Sequence, residues 1–131
     1  MAHSSQQQPD HSTLIKEARR SALDMGTEDN NGFWELIWAL RVMFPQVDDE
    51  TLHSVSRDAL GELFGEGLIR VVQWESNSEV DQVVPKSEAW RLINEMSSWA
   101  PPENTQSAHP RFIATPTGER VYYSGLTSAQ N

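Results

Sequence analysis

At 131 residues the chain has the size of one domain, and with 37% apolar residues only part of it can belong to a core. It contains no Cys, which excludes disulfides, thiolate metal sites and Cys nucleophiles. The net charge of -9, from 19 acidic and 10 basic residues, opposes binding to nucleic acid or an anionic membrane unless the basic groups gather on one face.

Residues 1–11 are polar and include a run of Gln, so they are expected to form a disordered tail. A single domain is expected over 12–124 and a second short tail over 125–131. The first ten residues lack the apolar run of a signal peptide. The most apolar window, Phe33 to Phe44, is shorter than the ~20 residues of a membrane span and is interrupted by Glu35 and Arg41. The expected setting is cytoplasmic, with no membrane partner.

Residues 13–25 read as a helix, with Thr13 as cap, Leu14, Ala18 and Ala22 on one face, and Gly26 as terminator. Its narrow apolar face can dock on its own domain or on a second copy. Residues 33–44 form the strongest helix, with Asn30 or Asn31 as cap and Pro45 as stop. Its apolar residues occupy most of the circumference, so it is either central to the domain or covered by a partner. Residues 49–64 follow as an amphipathic helix capped by Asp48, with Gly65 and Gly67 at its end. Leu68 to Trp74 is rich in β-branched residues and reads as a strand. Ser76 to Ser78 supply a turn, and Val80 to Val84 can return as its partner. Residues 86–99 read as one helix ended by Pro101 and Pro102. A polar loop from Glu103 to His109 leads to a strand over 111–115. Residues 116–123 read as a turn with a short helix or strand.

Two segments carry a resemblance. ALGELFGEGLIRVV, from Ala59, places Leu60, Leu63, Gly67, Leu68 and Ile69 as at the junction between a helix and the first wing strand of winged-helix proteins. FIATPTGERVYY places Thr115, Gly118, Glu119 and Arg120 as at the end of such a wing. Together, and with the Trp99 to Pro102 segment, they resemble small bacterial winged-helix-like proteins over roughly residues 33–123. The resemblance implies an α+β, winged-helix-like fold: a helical core with a small antiparallel hairpin or three-stranded sheet. Two departures stand out. Only Pro45 to Asp48 separate the helix ending at Phe44 from the next, so the usual second helix looks missing. The helix over 86–99 falls inside the wing.

No catalytic constellation is found. There is no G-x-S-x-G, no glycine-rich phosphate loop followed by Lys, and no metal-ligating His spacing among His3, His11, His53 and His109. The expectation is a non-enzymatic protein with no metal and no cofactor. The leading reading is a protein-interaction module, of immunity- or antitoxin-like inhibitor or adaptor type, that binds a basic partner. Its candidate residues are the acidic run Asp48, Asp49 and Glu50, and Trp74 at a strand end. The bland reading of that run is a helix N-terminus with favourable charge–dipole contacts. The alternative is a winged-helix DNA-binding regulator, disfavoured by net charge, in which Arg57, Arg70, Arg111 and Arg120 converge on one surface. Trp34, Trp38, Trp90 and Trp99 lie at helical spacings and are expected in the core. Homodimerisation is compatible with either reading.

Overall fold

The computed structural model describes residues 9–74, 82–101 and 109–129. The first helix, α1 (His11–Glu28), starts from Asp10, whose Oδ1 accepts the Thr13 N–H at 2.8 Å and the Ser12 hydroxyl at 2.9 Å. The cap is therefore Asp10 rather than Thr13, because its carboxylate satisfies an otherwise orphaned amide of the first turn. Gly26 does not end the helix. It is buried within α1 against strand β4 (His109–Ala114), where a Cβ would stand 2.7 Å from the Ala114 nitrogen. A two-residue strand, β1 (Asn31–Gly32), pairs with β4 and leads directly into α2 (Phe33–Met43). Neither Asn30 nor Asn31 caps α2. The Asn31 amide instead donates to the Met25 and Asp29 carbonyls at 2.9 Å, closing the end of α1. Glu35 reaches back to accept the Gly32 N–H at 2.7 Å, the acidic half of a capping box.

Helix α3 (Asp49–Gly65) begins as the sequence indicates: Asp48 accepts the Thr51 N–H at 2.8 Å. Gly67 adopts the left-handed conformation, φ 76°, and turns the chain into β2 (Ile69–Trp74). Strand β3 (Gln82–Val83) returns antiparallel, with Val83 opposite Val72. The expected helix over 86–99 is broken. Helix α4 (Lys86–Asn94) stops, Glu95 is extended, and a 3-10 turn follows at Met96–Trp99. In an unbroken helix residues 93 and 99 point about 120° apart. The break lets the Trp99 indole N–H donate to the Ile93 carbonyl at 2.9 Å and turns the ring into the core.

Strand β4 starts earlier than expected and includes Pro110. β1 reaches only Arg111 and Phe112, so Pro110 has no neighbour on that side and its missing N–H is not needed there. Helix α5 (Pro116–Ala129) continues past Gly125, where a tail was expected to begin. Thr115 anchors its start: the hydroxyl accepts the Gly118 N–H at 3.0 Å and donates to the Gly67 carbonyl at 2.7 Å. A Cβ on Gly118 would stand 2.0 Å from the Leu68 carbonyl oxygen. The Thr-x-x-Gly run thus clamps α5 to the turn between α3 and β2.

The fold is mixed α+β, with a four-stranded antiparallel sheet in the order β1-β4-β2-β3. Three helices precede β2, and β1 lies between the first two. Helix α2 stands directly ahead of α3, with the short link between them that the sequence indicates. The arrangement is compatible with a winged-helix-like domain. β3, α4 and the 3-10 turn lie between β2 and β4, where the sequence placed an insertion. The core gathers Leu14, Ala18 and Ala22 of α1 with Phe33, Leu36 and Leu40 of α2, and with Leu52, Val55, Ala59 and Leu63 of α3. Phe33 is its aromatic centre, 5.0 Å from Trp99 and 6.4 Å from Phe112 between ring centroids. The apolar face of α1 therefore docks on its own domain. Among the described residues no helix is long and apolar enough to cross a membrane. Of the expected tail over residues 1–11, Asp10 caps α1 and His11 opens it, and of the expected loop from Glu103 to His109, His109 opens β4; residues 1–8, the turn at Ser76 to Ser78 and residues 103–108 lie outside the described residues.

Candidate functional site

Helix α2 carries more apolar residues than one buried face can hold. Phe33, Leu36, Ile37 and Leu40 point inward, while Trp38 is 50% exposed and Val42 and Met43 are exposed beside it. Trp34 and Trp38, one turn apart, meet edge to face with centroids 4.5 Å apart. Facing them across a cleft are Met96, 66% exposed, and the backbone that follows it through Ala100 and Pro101. Trp99, only 3% exposed, lies at the base, held by its bond to Ile93. His53 of α3 and Arg41 of α2 complete the lining. The cleft holds about 410 Å³, within the range of ligand-sized pockets. The expectation that the tryptophans are core residues therefore holds for Trp99 and fails for Trp38. Trp34 is half-buried, and its indole N–H has no hydrogen-bond partner.

The polar groups of the cleft are few. Arg41 Nε donates to Asp49 Oδ1 at 3.2 Å, and its Nη2 forms an ion pair with the same oxygen at 3.1 Å. His53 makes no hydrogen bond or ion pair with a described residue. No Asp or Glu is among the described residues lining the cleft. The acidic run beside it divides by role. Asp48 caps α3, and hydrogen bonds from the Thr51 hydroxyl and backbone N–H hold its carboxyl below the usual range. Asp49 is tied to Arg41, joining the ends of α2 and α3. Glu50 is exposed. The three do not form one patch of free carboxylates.

The outer side of α3 is covered toward its C-terminus. Trp90 of α4 lies over Gly61 and Gly65, so close that a Cβ on either would be in contact at 3.5 Å. Its ring meets Phe64 edge on, with centroids 5.0 Å apart. From the other flank Arg19 of α1 binds Glu62 at 2.9 Å and Glu66 at 2.7 Å. Arg57 shares the helical stripe of Gly61 and Phe64.

Arg70 and Arg111 share one face of the sheet, because Arg111 is opposite Val72, two residues beyond Arg70. Arg111 donates to His109 Nε2 at 2.9 Å and to Asn30 Oδ1 at 2.7 Å. Arg120 lies on α5 and donates to the Thr117 hydroxyl at 3.1 Å. The sheet thus brings two of the four candidate arginines to one face and leaves Arg57 and Arg120 on separate helices. The Trp74 backbone is opposite His109; the expectation for its side chain lies outside what the structure describes. Among the described residues no group of three or more His, Cys, Asp or Glu comes together to hold a metal ion.

The signal that could have located the cleft was the apolar circumference of α2. Its exposed part could not be singled out without knowing which face the core takes. No protein-family model, no curated protein and no solved structure matches the chain.

Proposed function

We propose that this chain is a non-enzymatic protein-interaction module that receives an apolar side chain of a partner protein in the cleft between α2 and the 3-10 turn. The observation that carries the reading is Trp38, half-exposed and set edge to face with Trp34 at the edge of an apolar cleft. Leaving so large a ring partly in water forgoes burial worth about 1.5–3 kcal/mol for a full large apolar side chain, a stabilisation that a partner would recover. Trp is also the residue type most enriched where interfaces concentrate their affinity. Within this proposal the chain works in the cytoplasm, which suits its lack of Cys.

The DNA-binding alternative is favoured by the element order and by the shared face of Arg70 and Arg111. It is disfavoured by the net charge of -9 and by the acidic residues Asp48, Asp49 and Glu50 at the start of α3. Two experiments divide the readings. A photoreactive residue at position 42, exposed beside the cleft, should crosslink to a partner polypeptide in cells, and Trp38→Ala should abolish that product. A labelled mixed-sequence duplex should show no anisotropy change at low salt. Saturable DNA binding that weakens steeply with salt, without a crosslinked partner, would replace the protein-binding reading with the DNA-binding one.

A further inference from the structure

We propose that the partner received on the exposed face of α2 is a second copy of this chain, packed antiparallel about Trp38. The proposal rests on the protein-docking reading above and names the partner. The helix itself fixes the face. Phe33, Leu36, Ile37 and Leu40 are buried. At about 100° per residue, the opposite side is centred between Trp38 and Val42. Both are exposed, with Glu35 and Arg41 on the two flanks.

Around Trp38 this face has the same chemistry read from either end. Four residues away on each side stand apolar groups, Trp34 and Val42. Three residues away stand opposite charges, Glu35 and Arg41. When two antiparallel copies of a helix cross at one residue, each position before it faces the matching position after it on the other copy. Trp38 then meets Trp38, Val42 meets Trp34, and Arg41 meets Glu35, the last two contacts being made twice. A parallel pair would instead set Arg41 against Arg41 and Glu35 against Glu35. Both charges already have partners within the chain, Arg41 in Asp49 and Glu35 in the Gly32 N–H. The cross pair therefore sets orientation more than affinity. Because Trp34 lines the cleft, Val42 of the second copy is the apolar side chain that reaches it.

The size of the face sets the strength. The exposed parts of Trp38, Val42, Met43 and Met96 come to roughly 400 Å², about half of what each side of a standard interface buries. Two chains of net charge -9 also repel one another. The pair is therefore reversible, with a dissociation constant of about micromolar or weaker.

The test is sedimentation velocity of the full-length chain over a wide concentration range, at about 0.15 M salt, where repulsion beyond ~8 Å is screened. A monomer–dimer equilibrium is expected. Trp38→Ala and Val42→Glu should each weaken it about tenfold or more. Val42 is 82% exposed, so its change leaves the core untouched, and urea unfolding checks that both variants fold. A photoreactive residue at position 42 of the purified chain reads the orientation. It should give a covalent dimer joined at or next to Trp34 of the second copy. A dimer indifferent to both variants, or one joined away from Trp34, would overturn the antiparallel pairing. A chain that stays monomeric to about millimolar, while the same photoreactive residue captures a different polypeptide in cells, would overturn the second copy and leave the docking reading in place. Neither a dimer nor a captured polypeptide would overturn both.

Discussion

Arg19 and Glu66 form a two-pronged contact between α1 and the end of α3, with Nη1 and Nη2 each donating to a different carboxylate oxygen at 2.7 Å. Parallel bonds of this kind are among the stronger polar contacts, though Glu66 is partly exposed and screened by solvent. The hydrogen bonds from Arg19 hold the Glu66 carboxyl below its usual range. Such a group contributes stability above its unfolded-state pKa and loses that contribution as pH falls through its lower folded-state value. Arg19→Gln should therefore cost about 1 kcal/mol at neutral pH. The gap between wild type and variant should close below the carboxylate range, roughly pH 4. Urea unfolding across pH measures this, and a gap unchanged in acid would assign the effect to packing.

Gly118 and Gly61 should respond in opposite ways to alanine. At Gly118 the new methyl meets a backbone carbonyl that cannot swing aside. The cost should be about 3 kcal/mol or more, seen as a large fall in the urea midpoint. At Gly61 the methyl meets the Trp90 ring at ordinary contact distance. There the better helix propensity of Ala should raise stability by up to about 1 kcal/mol. Equal effects at the two sites would contradict the close approach of α5 to Leu68.

Ser56 is fully buried in α3, and its hydroxyl has no hydrogen-bond partner. Replacing a buried, unpaired polar group by a methyl removes a desolvation cost. Ser56→Ala should raise stability by about 1 kcal/mol in denaturant unfolding. A loss of stability would mean that the hydroxyl is bonded in solution.

Trp38 and Trp99 bound the same cleft but differ in what they support. Trp99→Ala should cost about 3–5 kcal/mol, since its ring fills the core beside Phe33. Trp38→Ala should cost less than about 1.5 kcal/mol and remove fluorescence that is open to iodide quenching. A comparable loss of stability in both would make Trp38 a core residue and weaken its role as an anchor.

Much of the architecture was legible because local signals agreed with the global fold. Asp48 followed by an apolar stripe marked α3, and the β-branched run from Ile69 marked β2. What escaped depended on residues distant in sequence. Gly26 looks like a helix terminator by its type, yet it is glycine because β4 passes against it. Apolar residues recur at helical spacing from Ala89 through Met96, so nothing local marks the break at Glu95; the Trp99 bond to Ile93 does. The acidic run was noticeable as charge, but its capping and pairing roles depend on the turn that brings Arg41 beside it. The cleft was the least legible feature, because a helix apolar nearly all round does not declare which side the core will leave uncovered.

The pairing of Trp74 with His109 has an architectural consequence. The chain leaves β2 and rejoins β4 at directly facing positions, so everything from residue 75 to 108 is an excursion launched from the end of a hairpin. Closing such a loop costs entropy that grows only with the logarithm of its length. Any replacement of that excursion would have to supply the core contacts of Val84, Ala89, Leu92, Ile93 and Trp99 and the cover that Trp90 gives α3. One wall of the cleft, α2, lies outside the excursion, while Met96 and the residues after it ride on it. The cleft is thus a seam between two parts of the chain, and its shape changes whenever either part is repacked.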